Sequence, residues 1–163
     1  MKKEILHIVV GAGNVRYSSD AIESILSNQA GDVFAVYNIT SAQDSREIAT
    51  ERKRLNKQVA KLIVQPNSPG RRTGSLYDAN DLGLRHAIGK YRFASFVQAD
   101  MQLMWWDDVI LDATENFLSN TSCPEVSFYT QLPVLGKTQN HTAGGPRTLG
   151  RFGQAFAAKW VFV

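Results

Sequence analysis

The chain has 163 residues, 44% of them apolar, a formal net charge of +3 and one cysteine. That length and apolar content suit a single globular domain with a sizeable core and exclude a disordered or fibrous chain. A lone Cys123 excludes an intramolecular disulfide framework and a multi-cysteine zinc site; it fits a buried thiol in a reducing cytoplasm.

Taken in order, the chain begins with an apolar run, Ile5 to Val10 with His7 inside it, which reads as a central first strand. At six residues it is too short for a membrane span or a signal-peptide core, so no membrane span is expected. The turn Gly11-Ala12-Gly13-Asn14 follows. It falls short of the dinucleotide fingerprint, because Arg16 holds the third glycine position and no helical pattern starts directly behind Gly13. A helix capped by Ser18, Ser19 or Asp20 is expected instead, with Ala21, Ile22, Ile25, Leu26 and Gln29 along one side.

Asp32 to Asn38 is a second strand, closed by the polar loop Asn38 to Asp44. Ser45 to Lys61 spaces Ile48, Leu55, Val59 and Leu62 as an amphipathic surface helix. Its basic residues (Arg46, Arg52, Lys53, Arg54, Lys57) read as a solvated face rather than a nucleic-acid footprint, so no nucleic-acid partner is expected. Leu62 to Gln65 makes a third short strand before Pro66. The loop Asn67 to Gly74 then carries Arg71 and Arg72 directly ahead of another helical pattern. Guanidinium groups and free amides at a helix start favour phosphate oxygens, so this is either a diphosphate contact or an ordinary basic loop. The helix Ser75 to Ile88 sets Asn80, Gly83, Ala87, Leu76 and Leu84 along one side; the small residues allow close approach to a sheet, and Asn80 either bonds in the core or touches a ligand.

Phe93 to Val97 has the composition of a strand buried on both faces, and it stops at Gln98-Ala99-Asp100. Ligands of open α/β sheets sit outside the carboxyl ends of the strands, so Asp100 either meets a substrate or a hard cation there or caps the next turn. Met104, Trp105 and Trp106 pack or line a wall ahead of a helix over Asp108 to Leu118 capped by Asp107. Alternation of Val126, Phe128, Thr130 and Leu132 marks an edge or antiparallel strand within Pro124 to Leu135. Glycine-rich loop chemistry follows from Gly136 to Gly153, where His141 and Gly144-Gly145 form a lid or a surface loop; an apolar end, Gln154 to Val163, reads as a docked helix or strand. The alternation of strands and helices predicts an α/β fold, a three-layer sandwich around a mainly parallel sheet with right-handed crossovers.

From Ile5 to Asp108 these landmarks resemble the N-terminal, nucleotide-binding part of a family-two glycosyltransferase with the GT-A fold. Val9 to Asn14 stands where that family has its first strand and terminal Asn. Ala21 to Leu26 with Gln29 matches its "Ser-Ile-Leu-x-x-Gln" helix, and Asn38 to Ser41 occupies the place of its acidic "Asp-Asp-x-Ser". Asn80, Gly83, Ala87 and Gly89-Lys90-Tyr91 match "Asn-x-Gly…Ala-x-Gly-x-Tyr", and Gln98-Ala99-Asp100 takes the position of the metal-binding Asp-x-Asp. The resemblance implies one GT-A-like domain over 1–163, with 1–108 binding the nucleotide sugar and 109–163 forming part of the acceptor side. It implies a nucleotide-diphosphate sugar donor, a saccharide, lipid or protein acceptor, and Mg²⁺ or Mn²⁺ held by Asp100. The donor site would comprise Gly11, Ala12, Gly13, Asn14, Asn38, Arg71, Arg72, Asn80, Gln98, Ala99 and Asp100, and the reaction would be transfer to an acceptor hydroxyl, usually with inversion. Two departures stand out: Gln98 replaces the first Asp of the metal motif and Asn38-Ile39 the acidic pair that contacts the base. They leave open a degenerate module that binds nucleotide without turnover. A nucleotidyltransferase of related sheet topology is the third reading.

Overall fold

The computed structural model describes residues 3–13, 15–67, 74–99, 102–103, 112, 116, 125–128 and 158–162. Strand β1 (Lys3–Ala12) leads to helix α1 (Val15–Ser27), β2 (Asp32–Ile39), α2 (Ala42–Leu55), β3 (Lys61–Pro66), α3 (Gly74–Ala87) and β4 (Tyr91–Gln98). Two further strands, β5 (Glu125–Phe128) and β6 (Ala158–Phe162), complete a sheet of order β3-β2-β1-β4-β6-β5. The first four strands in that order run parallel, and β6 is antiparallel to both β4 and β5. The expected α/β architecture with a mainly parallel sheet is therefore the observed one.

β1 is central because its side chains are apolar in both directions. Ile5 and Val9 join Ile22 and Ile25 of α1, Ile48 and Leu55 of α2 and Phe93 of β4 in one buried cluster. Leu6, Ile8 and Val10 join Phe34, Val36, Ala94 and the Ala79 and Ala87 of α3 in another. Alternate strand residues point to opposite faces, so α1 and α2 cover one side of the sheet and α3 the other. Gly83 sets the approach of α3, since a Cβ there would lie 2.6 Å from Ile8 Cγ2.

Several helix boundaries differ from the sequence expectation, among them the start of α2, which is Ala42 rather than Ser45. α1 starts at Val15, directly behind the Gly13 turn, and Ser18 and Ser19 are buried inside it rather than capping it. Ser19 Oγ donates to the Val15 carbonyl (3.1 Å) and shares a hydrogen bond with Tyr37 OH (3.0 Å), so two serines that look like caps instead lie on the inner face of the first turns, while Asp20 faces outward beside Arg16. Gln29 lies beyond the helix, in a left-handed conformation (φ 52°) that ends it. α2 stops at Leu55, six residues early: Val59 and Leu62 continue the helical spacing, but Val59 sits in a turn and Leu62 in β3, half-buried against the same core. The start of α2 is a capping box in which Asp44 N donates to Ser41 Oγ (3.1 Å) and Ser41 N to Asp44 Oδ2 (3.0 Å). Its basic residues are exposed, as expected of a solvated face. In α3, Ser75, Ala79, Gly83 and Ala87 are buried as one row four residues apart, whereas Leu76 lies one position off that row and is exposed.

The C-terminal expectations resolve in part. Glu125–Phe128 is an edge strand and the apolar end supplies the strand Ala158–Phe162. Cys123, Trp105, Trp106, His141, Gly144, Gly145 and most of the helix expected over 108–118 lie outside the described residues. No helix among the described residues is long and apolar enough to cross a membrane.

Candidate functional site

The carboxyl ends of the parallel strands form one rim. Ala12, the last residue of β1, pairs with Asn38 of β2, and Asn38 pairs with Gln65 of β3. On the other side of β1, Val10 pairs with Gln98, where β4 ends. The rim thus brings Gly11, Ala12, Gly13, Asn38, Gln98 and Ala99 together from positions far apart in the chain.

Each described site residue has a definite local reason for its place. Gly11 is buried opposite Tyr37, and a Cβ on it would overlap Ser18 Oγ, so α1 can close over the strand end only at glycine. Gly13 turns the chain with φ 82°, beside Thr40. Ala12 is exposed and Gly13 half-buried, which leaves this turn open to a ligand. Asn80 is half-buried in the second turn of α3, next to the buried Ala79. Asn14, Arg71, Arg72 and Asp100 lie outside the described residues.

The loop behind Asn38 is fixed by its own hydrogen bonds. Asp44 Oδ2 accepts from Thr40 N (2.8 Å), Ser41 N (3.0 Å) and the Thr40 hydroxyl. These bonds, that of the Thr40 hydroxyl first, hold the Asp44 carboxyl below the usual carboxylate range. Below the rim, burial pushes the Tyr37 phenol up to about 12 even though Ser19 bonds to it. Past β4 the chain comes back beside α1: Leu103 N donates to Ser24 Oγ (2.8 Å), and Asn28 Nδ2 donates to the Leu103 carbonyl (3.0 Å). Both ends of the segment that carries Asp100 are anchored in this way, one in β4 and the other on α1.

Sequence reasoning missed Gln65. Its Nε2 donates to Asn38 Oδ1 (2.8 Å) and joins two amides across neighbouring strands. The available signal was a polar residue closing an apolar strand, repeated at Asn38 and Gln65; their adjacency depends on register, which a single sequence does not print.

The sheet order and the open rim set the terms of comparison with known proteins. No protein-family model and no curated protein matches the chain. Among solved structures, S. aureus TarS 1-349 in complex with UDP superposes with a TM-score of 0.52 at 15% identity, over 84% of this chain and 38% of that one. The 4-diphosphocytidyl-2C-methyl-D-erythritol synthase of Anaerococcus prevotii gives 0.51 at 14% identity, over 98% of this chain and 71% of that one. The chain shares a GT-A-like α/β fold with these two structures. At these identities the likeness is one of fold, and the chain spans 38% of the TarS fragment.

Proposed function

We propose that this chain is the donor-binding portion of a glycosyltransferase, transferring a sugar from a nucleoside diphosphate to an acceptor hydroxyl with inversion. The observation that carries the reading is the rim: Gly11 to Gly13, Asn38 and the end of β4 lie side by side outside the carboxyl ends of a parallel sheet, where ligands of this architecture bind. The order of motifs along the chain supports it, as does a fold shared with a protein whose structure holds UDP. Residues 1–108 would hold the donor and 109–163 would contribute to the acceptor side, with the whole in the cytoplasm.

In this reading Asn14, Arg71, Arg72 and Asn80 join the rim in binding the nucleotide diphosphate. The oxygen-donor set at the end of β4 suits a hard cation, with Asp100 as the carboxylate ligand and phosphates and water completing the shell. Mg²⁺ or Mn²⁺ bound there would offset the negative charge that develops on the leaving nucleoside diphosphate. Among the described residues no three His, Cys, Asp or Glu side chains cluster, and Asp100 lies outside them.

Calorimetry with UDP, CDP, GDP and ADP in the presence of Mn²⁺ tests the reading. Binding of a nucleoside diphosphate that weakens at least about tenfold in Asp100→Ala is expected, since one carboxylate supplies the protein's charge on the metal. Failure of every nucleotide to bind would refute the proposal. Gln98 in the metal motif favours a second reading, a module that binds nucleotide without turnover. Donor hydrolysis or sugar transfer that is lost in Asp100→Ala decides against that module, whereas pyrophosphate release from a nucleoside triphosphate would indicate nucleotidyl transfer instead.

A further inference from the structure

Helix α3 packs on β1, β2 and β4, and β3 lies beyond β2 at the edge of the sheet, so a corner forms between the helix and the edge strand. Basic side chains border it from both sides. Lys61, the first residue of β3, pairs with Phe34 and alternates with Ile63, which packs on the α3 side. His86, in the last turn of α3, sets its ring 5.2 Å from that of Phe34. Lys90 Nζ lies 3.5 Å from His86 Nδ1. An ammonium group only donates, so Nδ1 accepts here and the ring's own proton sits on Nε2. Lys61 and Lys90 are exposed and His86 half-buried. Among the described residues no carboxylate pairs with these side chains: Asp81 is taken by Arg85, and Asp32 is bonded by the Tyr91 hydroxyl. Burial, then the charge of Lys90, then that of Lys61 hold the His86 imidazole below its ordinary value, so both ammonium groups act on one point. Basic residues at a helix C-terminus complement its dipole, which accounts for His86 and Lys90. It does not account for Lys61, which comes from the edge strand.

We infer that Lys61, His86 and Lys90 form a binding site for a phosphate group at the edge of the sheet, separate from the donor rim. Two ammonium groups and an imidazole N–H offer donors from different directions, which suits a tetrahedral anion better than a planar carboxylate. An anion held there offsets the repulsion between the two lysines and the ring. The site stands apart from the rim, because Lys61 is level with Phe34 and Ile8 in the middle of β1, and Gln65 lies about 13 Å further along β3. It is therefore independent of the nucleotide-donor reading. The phosphate can be a free anion or the headgroup of a phospholipid. Ile88, 59% exposed and between His86 and Lys90 in sequence, would give a lipid an apolar contact beside its headgroup.

Proton NMR of the full chain tests this through the His86 ring signals, assigned by their loss in His86→Gln. Titration with inorganic phosphate at constant ionic strength is expected to shift them saturably, with a dissociation constant on the order of 1 mM, while acetate shifts them little. Lys61→Gln and Lys90→Gln, each alone, should weaken the response about tenfold. Both lysines are exposed, and an unchanged urea midpoint shows that the variants fold. Cosedimentation with phosphatidylcholine vesicles, with and without phosphatidate, is the second arm. Retention that needs phosphatidate and is lost in Lys61→Gln assigns the phosphate to a lipid headgroup; a response to inorganic phosphate without retention assigns it to a free anion. If phosphate moves the His86 signals no more than acetate does and phosphatidate vesicles retain nothing, the site is overturned. It is equally overturned if either response persists undiminished in folded Lys61→Gln, and the cluster then only complements the end of α3.

Discussion

The two ends of the parallel sheet use polar residues in opposite ways. At the amino end they satisfy one another: Tyr91 OH donates to Asp32 Oδ2 (2.6 Å), Arg92 Nη1 to Glu4 Oε2 (2.6 Å), and buried His7 Nε2 to the Ala30 carbonyl (3.1 Å). At the carboxyl end the Asn38–Gln65 amides pair once and keep a donor and an acceptor in reserve. The contrast separates stability from recognition. Side chains at the amino end tie β4 to β1 and β2, whereas at the opposite rim an amide pair links β2 to β3.

Substitutions at the amino end should therefore lower stability while sparing nucleotide affinity, and the largest effect is expected at Gly31. Its φ is 142°, and a Cβ there would lie 2.5 Å from Ile5 Cγ2 and 2.9 Å from the Ile5 carbonyl oxygen. Gly31→Ala should cost about 3 kcal/mol or more in urea denaturation, combining backbone strain with overpacking. An unchanged midpoint would contradict the close packing of this turn.

His7 should give a pH signature of similar size. Burial lowers its imidazole from 6.5 to about 4, and the Ala30 hydrogen bond only partly opposes this. The unfolded chain takes up the proton first, so stability is complete above the unfolded value and falls as pH drops from about 6.5 towards 4, by about 3 kcal/mol in all. His7→Gln should flatten that limb of the stability profile; a limb of unchanged steepness would assign the acid sensitivity elsewhere.

Tyr91→Phe removes the hydroxyl that bonds Asp32 and should cost about 2 kcal/mol, the scale of a hydrogen bond to a charged group. A loss of nucleotide affinity beyond that of stability would break the distinction between the two ends. The smallest effect is expected from Ser41→Ala. It opens the capping box of α2 and should cost about 1 kcal/mol of stability, measured by thermal melting. Because Ser41 lies just behind Asn38, the same variant sharpens the comparison: any change in nucleotide binding would show that the rim depends on this loop as well as on the amide pair.

The strands were legible because their evidence is local. Ile5 to Val10 and Phe93 to Val97 are apolar enough for strands covered on both faces, and the sheet buries them in that way. Helix ends were less legible, because a side chain's role there depends on what lies opposite it. Ser19 looks like a cap until Tyr37 is seen beside it, and Val59 looks helical until the chain turns into β3. Of the candidate site, the glycine turn and Asn38 could be read from the residues that end strands. Gln65 could not, since 27 residues separate it from its partner.

The place of β6 carries a kinetic consequence. Although it is the last of the described strands, it lies between β4 and β5, with Phe93 opposite Phe162 and Glu125 opposite Val161. During synthesis β5 emerges without its neighbour, and β4 keeps an open edge until the ribosome has released a stretch roughly sixty residues further on, a long closure that slows formation of that side of the sheet. A polypeptide interrupted before Ala158 would retain an unpaired β4, the kind of template on which strands of other molecules assemble.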